Sequence, residues 1–241
     1  MTADGARMRA ILLVAATLAF VVSPYASGSF GGFDPNAFPI PQDDPPVQPA
    51  GYAFAIWGVI YLWLVVHAVF GLVKRDADAA WDRVRWPMIA SLALGAPWIA
   101  VAQTSPLAAT ALIWAMLVPA LIAVARLDHG RDPWLLAAPI GLYAGWLTAA
   151  SCVSVALVGA GWGIVLGERG WAWVGLALAL VIGAAMIRRV RAPLTFALAA
   201  AWALVGVMVQ NLGTVLPLAI GAAAGAVALL ALWATRPAPR N

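Results

Sequence analysis

The amino-acid sequence predicts an all-α protein, a polytopic transmembrane bundle of about eight helices, and three observations carry that prediction. Of the 241 residues, 64% are hydrophobic and 10% charged, with a mean hydropathy of +0.91; a soluble surface needs far more charge than that. The apolar residues lie in runs long enough for a helix to cross the roughly 30 Å hydrocarbon core of a bilayer. All but Arg169 of the 14 Lys and Arg residues fall between alternate runs, so that one side of the bundle collects the positive charge, the asymmetry that orients membrane helices. The net charge of +4 and pI near 9.8 therefore reflect insertion topology and not a nucleic-acid partner, because no basic segment interleaved with aromatics stands outside the runs. The single Cys152 lies in an apolar run, which leaves no internal disulfide to form.

Taken in order, residues 8–25 follow Arg7 and Arg9 and read as a first span. A cleaved signal peptide would need small residues where Pro24 and Tyr25 stand, so a retained helix is expected. Residues 26–50 carry Gly, Pro, Asp34, Asp43 and Asp44 but no Lys or Arg, the signature of a non-cytoplasmic loop. The second span, 51–73, ends at Lys74 and Arg75, and Arg83 and Arg85 follow in a charged loop. Residues 86–103 and 106–125 form the third and fourth spans, and Arg126 and Arg131 mark the next basic loop. A long fifth span covers 134–161. The sixth, 171–187, stops at Arg188, Arg189 and Arg191; 193–210 and 212–233 complete the eight, with both termini on the cytoplasmic side of the cell's inner (plasma) membrane. The expected division is a five-helix domain over 1–161 and a three-helix extension over 162–241. A weak echo between Arg-Val-Arg-Trp-Pro at 83–87 and Arg-Val-Arg-Ala-Pro at 189–193 would fit a duplication.

None of these spans contains Asp, Glu, Lys or Arg, each of which would cost on the order of 2.5–3.5 kcal/mol at mid-helix. Ion-coupled carriers usually need a buried ionisable relay, and His67 is the one titratable candidate. A lone span histidine is more often a helix-packing group, and His129, in a charged loop, reads as solvated. The sequence offers no metal-ligand cluster, no nucleophile with a base and no phosphate loop, so no enzyme is expected.

The spans do contain tryptophan, 13 in all. Trp86, Trp134, Trp171 and Trp233 lie near span ends, where indoles favour the headgroup region. Trp57, Trp63, Trp98, Trp114, Trp146 and Trp202 lie deeper. A buried indole brings a large flat face and an N–H that wants an acceptor, a combination suited to a planar, mostly apolar ligand with one polar edge. Phe54, Trp57 and Tyr61 share one helical stripe, and Trp63 and His67 another; Tyr143, Trp146, Ala150 and Ser154 form a comparable stripe in the fifth span. Gly141 and Gly145, and Gly221 and Gly225, make GxxxG spacings that permit close helix approach.

These residues resemble the translocator protein/tryptophan-rich sensory protein family, TspO/MBR. The resemblance rests on a first span, a proline-rich loop, Pro45-Pro46 and Ile56-Trp57-Gly58-Val59-Ile60-Tyr61, and on the run from Tyr143 through Trp146 to Ser154, where the family pattern has asparagine. It covers roughly residues 8–160, with three further spans as an extended form. It implies a five-helix core around a pocket beneath the first loop that takes hydrophobic planar ligands such as porphyrin or haem-like tetrapyrroles, without a required cofactor. By that resemblance Trp57 and Tyr61, with Phe54 on the same stripe, form one wall, Tyr143, Trp146 and Ser154 face them, and Trp98 and Gln103 come from the third helix. The expected function is a ligand-binding sensor; a transporter of a small neutral or amphipathic solute is the alternative. Membrane lipid and a hydrophobic small molecule are the expected partners, with a homodimer compatible and nucleic acid excluded.

Overall fold

A computed structural model describes residues 3–28, 30–128 and 130–236, so His129 lies outside the described residues. Among them are nine α-helices: α1 Ala3–Ser27, α2 Ile56–Lys74, α3 Ala79–Gly95, α4 Trp98–Ala102, α5 Pro106–Ala125, α6 Ala138–Gly161, α7 Glu168–Ala185, α8 Leu194–Asn211 and α9 Leu216–Ala234. Seven helical segments are long and apolar enough to cross a membrane, and the chain is a multi-pass membrane protein. The span expected over 86–103 is instead α3 and α4, separated by a break at Ala96-Pro97. Pro97 has no N–H for the Ala93 carbonyl and its ring crowds that carbonyl, which ends a regular helix. The broken segment still runs the depth of the bundle. Arg9 near the start of α1 pairs with Asp82 in the first turn of α3, and Gln103 after α4 donates to the carbonyl of Ser27 at the end of α1.

The ion pairs among the described residues are gathered at one end of the bundle. Arg9 forks onto Asp82 at 2.6 and 2.7 Å. Arg85, 1% exposed, donates to Asp82 and to the carbonyls of Ala6, Gly71, Arg75 and Asp76. Asp132 accepts from Arg75 and from the Trp81 indole, and Asp78 caps α3 while receiving Arg131. A guanidinium is the residue of choice for this work, since its fixed fork of donors can satisfy several helix-end carbonyls at once.

The fifth span opens with a π-helical turn, Pro133–Ala137, before α6. Side chains of α2 bond its carbonyls: Trp63 Nε1 donates to Trp134 at 2.9 Å, and His67 Nδ1 donates to Leu135 at 2.8 Å. His67 also stacks on Trp81, 4.9 Å between centroids. The second stripe of α2 is thus spent on holding α3 and the start of the fifth span.

Helix α6 is the central post: 83% of its most apolar window is buried, against 28% for the segment containing α2. α2 and α5 pack on one side of it, with α1 and α3 behind them; α7 and α8 pack on the other, with α9 outside. Close approach of α6 and α8 depends on Gly145, where a Cβ would lie 2.3 Å from the Phe196 carbonyl oxygen. Thr195 Oγ1 adds a bond to the Ala138 carbonyl at 2.7 Å. Gly221 and Gly225 of α9 face Trp173 and Leu180 of α7. The two Arg-Val-Arg-x-Pro segments take different structures, one inside α3 and the other passing from a second π turn, Met186–Val190, to the cap of α8.

Candidate functional site

The loop between α1 and α2 lies across the end of the bundle opposite the charge network, and a cavity of about 270 Å³ sits beneath it among α1, α2, α4, α5 and α6, with a smaller lobe of about 50 Å³ continuing toward α8. The first helical stripe of α2 turns toward this space. Phe54, at the end of the 3₁₀ turn Gly51–Ala55, lines both lobes, and Trp57 and Tyr61 line the larger one, stacked with centroids 5.3 Å apart. Trp146 of α6 faces them edge-on, 5.9 Å from Phe54 and 6.2 Å from Trp57. Trp98 closes the far side beside Phe30 at 4.7 Å. Ser154, two turns beyond Trp146, lines the smaller lobe.

The structure therefore brings six of the eight expected residues to one cavity. Tyr143 is fully buried behind it: its hydroxyl donates to Ser91 Oγ at 2.7 Å, Ser91 in turn donating to the Met116 carbonyl. Its ring meets Phe20, so it backs the wall without lining it. Gln103 is exposed and ties the end of α4 to the Ser27 carbonyl.

Several lining residues were not singled out from the sequence. Phe20 of α1 packs edge-on against Trp57, Tyr61 and Tyr143 at 5.5 to 5.9 Å, and Pro24 follows it one turn later. Phe30 and Phe33 of the loop form the roof, with Gln48 and Pro49. Their signal was present as three phenylalanines, Phe30, Phe33 and Phe38, in a loop otherwise rich in proline and in small and polar residues; large apolar rings are more often buried than such neighbours. Ala203 of α8 lines the smaller lobe, a contact no local pattern announces.

The loop is fastened mainly through its second half. Ile40 N donates to the Gly161 carbonyl, Ala50 N to that of Gly206, and Asn211 Nδ2 to that of Pro46; Trp202 Nε1 donates to Ala53. The first half has Gly28 and Gly32 in left-handed conformations, φ +86° and +129°, which only glycine adopts without strain.

Electrostatically the cavity is bare. Among the described lining residues none is charged. Trp98 Nε1 is spent on the Ala109 carbonyl at 2.9 Å. Trp146 Nε1 is buried with no partner among the described residues, the side chain being only 2% exposed, and the Ser154 hydroxyl makes no hydrogen bond to the described residues. A buried N–H without a partner costs about 1–3 kcal/mol, a deficit that a bound acceptor would remove.

Neither curated proteins nor solved structures include one that matches this chain. A sequence model of the family described as TSPO-like protein matches residues 10–235, wider than the 8–160 over which the motifs were legible. The match runs from α1 through α9, so the helices beyond 161 fall within the family pattern as much as the aromatic cavity does, and the chain belongs to the TSPO-like protein family.

Proposed function

We propose that this chain is a membrane ligand-binding protein of sensory type, which holds a flat, largely apolar ring system among Phe20, Trp57, Trp98 and Trp146 and carries out no catalytic turnover. The observation that supports it is the union of an aromatic-lined cavity with a buried indole N–H, that of Trp146, which has no partner among the described residues, the arrangement that fixes an apolar ring and reads one polar edge. At about 270 Å³ the cavity lies near the lower end of small-molecule sites, which start at roughly 300 Å³. A ligand of two or three fused rings fills it as it stands. A tetrapyrrole, the larger member of the class, requires Phe30 and Phe33 to lift, and the glycines at 28 and 32 are placed for that. Among the described lining residues there is no imidazole, thiol or carboxylate, which favours stacking over axial ligation of a metal. The loop end faces the non-cytoplasmic side of the plasma membrane in this reading, and the Arg-rich end the cytoplasm.

Titration of methyl anthracene-9-carboxylate, and separately of a porphyrin diester, into the protein in lipid nanodiscs tests the site, with tryptophan fluorescence as the readout. Trp57→Ala should weaken saturable binding by about tenfold, the scale of losing one aromatic stacking partner. Equal affinity in wild type and variant would overturn the assignment.

A further inference from the structure

The Arg-rich end of the bundle divides into two unlike halves. On the side of α1, α3 and the fifth span, Arg9, Arg75, Arg83, Arg85 and Arg131 each pair with an aspartate, and Arg7, Lys74 and Arg126 lie within three residues of one in the sequence. The side built from α7, α8 and α9 has no such carboxylates. No Asp or Glu occurs in the sequence after Glu168, and Glu168 opens α7, whose 18 residues carry it about 27 Å from the arginine end. Arg188, Arg189, Arg191 and Arg236 nevertheless gather there, where α8 starts beside the start of α6 through the Thr195 bond to Ala138. We propose that this half binds the headgroup of an anionic phospholipid of the cytoplasmic leaflet, with Arg188, Arg189 and Arg236 as the phosphate contacts.

Arg188 and Arg189 are exposed on the π turn Met186–Val190 and make no bond to the described residues. Arg236 is braced. Its Nη1 donates to the carbonyls of Arg191 and Ala192 at 3.2 and 2.7 Å, and its Cζ lies 4.4 Å over the Trp233 ring, whose Nε1 also bonds the Ala192 carbonyl. Both carbonyl bonds use Nη1, and a guanidinium has five N–H donors in a planar fork, so donors remain for a phosphate oxygen. Burial, and after it the nearby charge of Arg191, push the Arg236 guanidinium below its usual range; an anion at this point offsets both. Insertion topology asks only for solvated positive charge on this side. It does not ask for a guanidinium fixed on an indole at headgroup level.

The surface leading into the membrane fits the rest of a lipid. Leu194, Leu198 and Trp202 are exposed at helical spacing on α8, starting three residues beyond Arg191. An acyl chain lying along them continues from a phosphate held at the arginines, whereas a soluble anion gains nothing from that strip. Basic clusters at the cytoplasmic ends of membrane helices recognise anionic headgroups in this way.

Native mass spectrometry of the whole chain in detergent, with phosphatidylglycerol or phosphatidylcholine of matched acyl chains added, tests the site. Wild type should bind phosphatidylglycerol at least about tenfold more tightly than phosphatidylcholine. Arg236→Gln should weaken phosphatidylglycerol about fivefold, the scale of one basic residue at an anionic surface, and the double variant Arg188→Gln/Arg189→Gln at least about tenfold. Arg83→Gln removes an equal charge at the same end of the bundle and should leave the affinity within about twofold of wild type. Near-ultraviolet circular dichroism checks that each variant keeps its tertiary packing, which exposed arginines without partners do not maintain. Equal binding of the two lipids by wild type, or an unchanged affinity in the double variant, overturns the proposal. An Arg83→Gln loss as large as that of the double variant overturns it too, since general positive charge then accounts for the binding. Millimolar inorganic phosphate should not displace the lipid; displacement would mean that these arginines take a soluble anion, and the lipid assignment falls.

Discussion

Asp132 shows how much one loop residue carries in this bundle. It adopts a left-handed backbone, φ 42°, and its carboxylate accepts from Arg75 and Trp81, joining the end of α2 and the start of α3 to the fifth span. The hydrogen bond from Arg75 is the main cause that holds its carboxyl below the usual carboxylate range. A depressed carboxylate contributes stability above its unfolded pKa, about 3.9, and that contribution is lost as the pH falls through the lower folded value. Thermal unfolding in detergent from pH 7 down to pH 3 should therefore show Asp132→Asn less stable than wild type at neutral pH, with the gap narrowing below about pH 4. A gap independent of pH would mean that the Asp132 charge does not contribute. Single residues were also where sequence reasoning reached its limit. Phe54, Trp57 and Tyr61 were legible because helical spacing alone decides which side chains share a stripe. Tyr143 shares a stripe with Trp146 equally well, yet its hydroxyl is drawn to Ser91, a partner 52 positions away. Gln103, polar and near a span end, finds a helix-end carbonyl in place of the cavity. Spacing selects a helix face, but it does not reveal which neighbour that face meets.

Among the elements, α6 is distinguished by being packed on nearly every side, and the glycines at 141 and 145 are what let α8 lie against it. Gly145→Val would drive a branched side chain into the Phe196 backbone, which cannot swing aside as a side chain can. The expected cost is on the order of 3 kcal/mol, the upper end for overpacking, read as a lower midpoint in chemical or thermal unfolding. Gly58→Ala on α2 is the matched control: nothing lies within 4 Å of its Cβ position, and helix propensity favours alanine. If both variants unfold alike, the close α6–α8 contact is not what stabilises the helix pair. The spans themselves were legible from hydropathy and basic residues, since the lipid solvent imposes both. The break at Pro97 was not, although the proline was visible. Pro24, Pro87 and Pro119 are accommodated within α1, α3 and α5, so a proline in a membrane helix is ambiguous until its neighbours are known. The π turn at 133–137 was equally hidden, because the groups that bond its carbonyls, Trp63 and His67, belong to another helix.

At the scale of the whole molecule, α8, a helix beyond 161, helps to build the candidate site. α8 supplies Ala203 to the smaller lobe, and its C-terminal half fastens the second half of the roof loop: Gly206 accepts from Ala50, and Asn211 donates to Pro46 at 2.7 Å and to Val207 at 2.8 Å. The chain between Pro46 and Ala50 is what delivers Phe54 and Trp57 to their positions, so the α8 contacts set the entry angle of α2 and hence the shape of the aromatic wall. Asn211 is fully buried and cannot be replaced by water from outside. Asn211→Ala removes the bond to Pro46 and should cost about 1–2 kcal/mol, the scale of one buried hydrogen bond with its acceptor left unsatisfied. The more telling effect is local. The Ala50 amide, bonded to Gly206 across the interface, should exchange with deuterium at least about fivefold faster in the variant, while amides in the middle of α6 keep their wild-type rates. Binding of methyl anthracene-9-carboxylate should weaken in parallel, even though Asn211 touches neither lobe. Faster exchange at Ala50 with unchanged affinity would separate the loop anchor from the site; unchanged exchange would show that the Asn211 bond to Pro46 does not hold the loop.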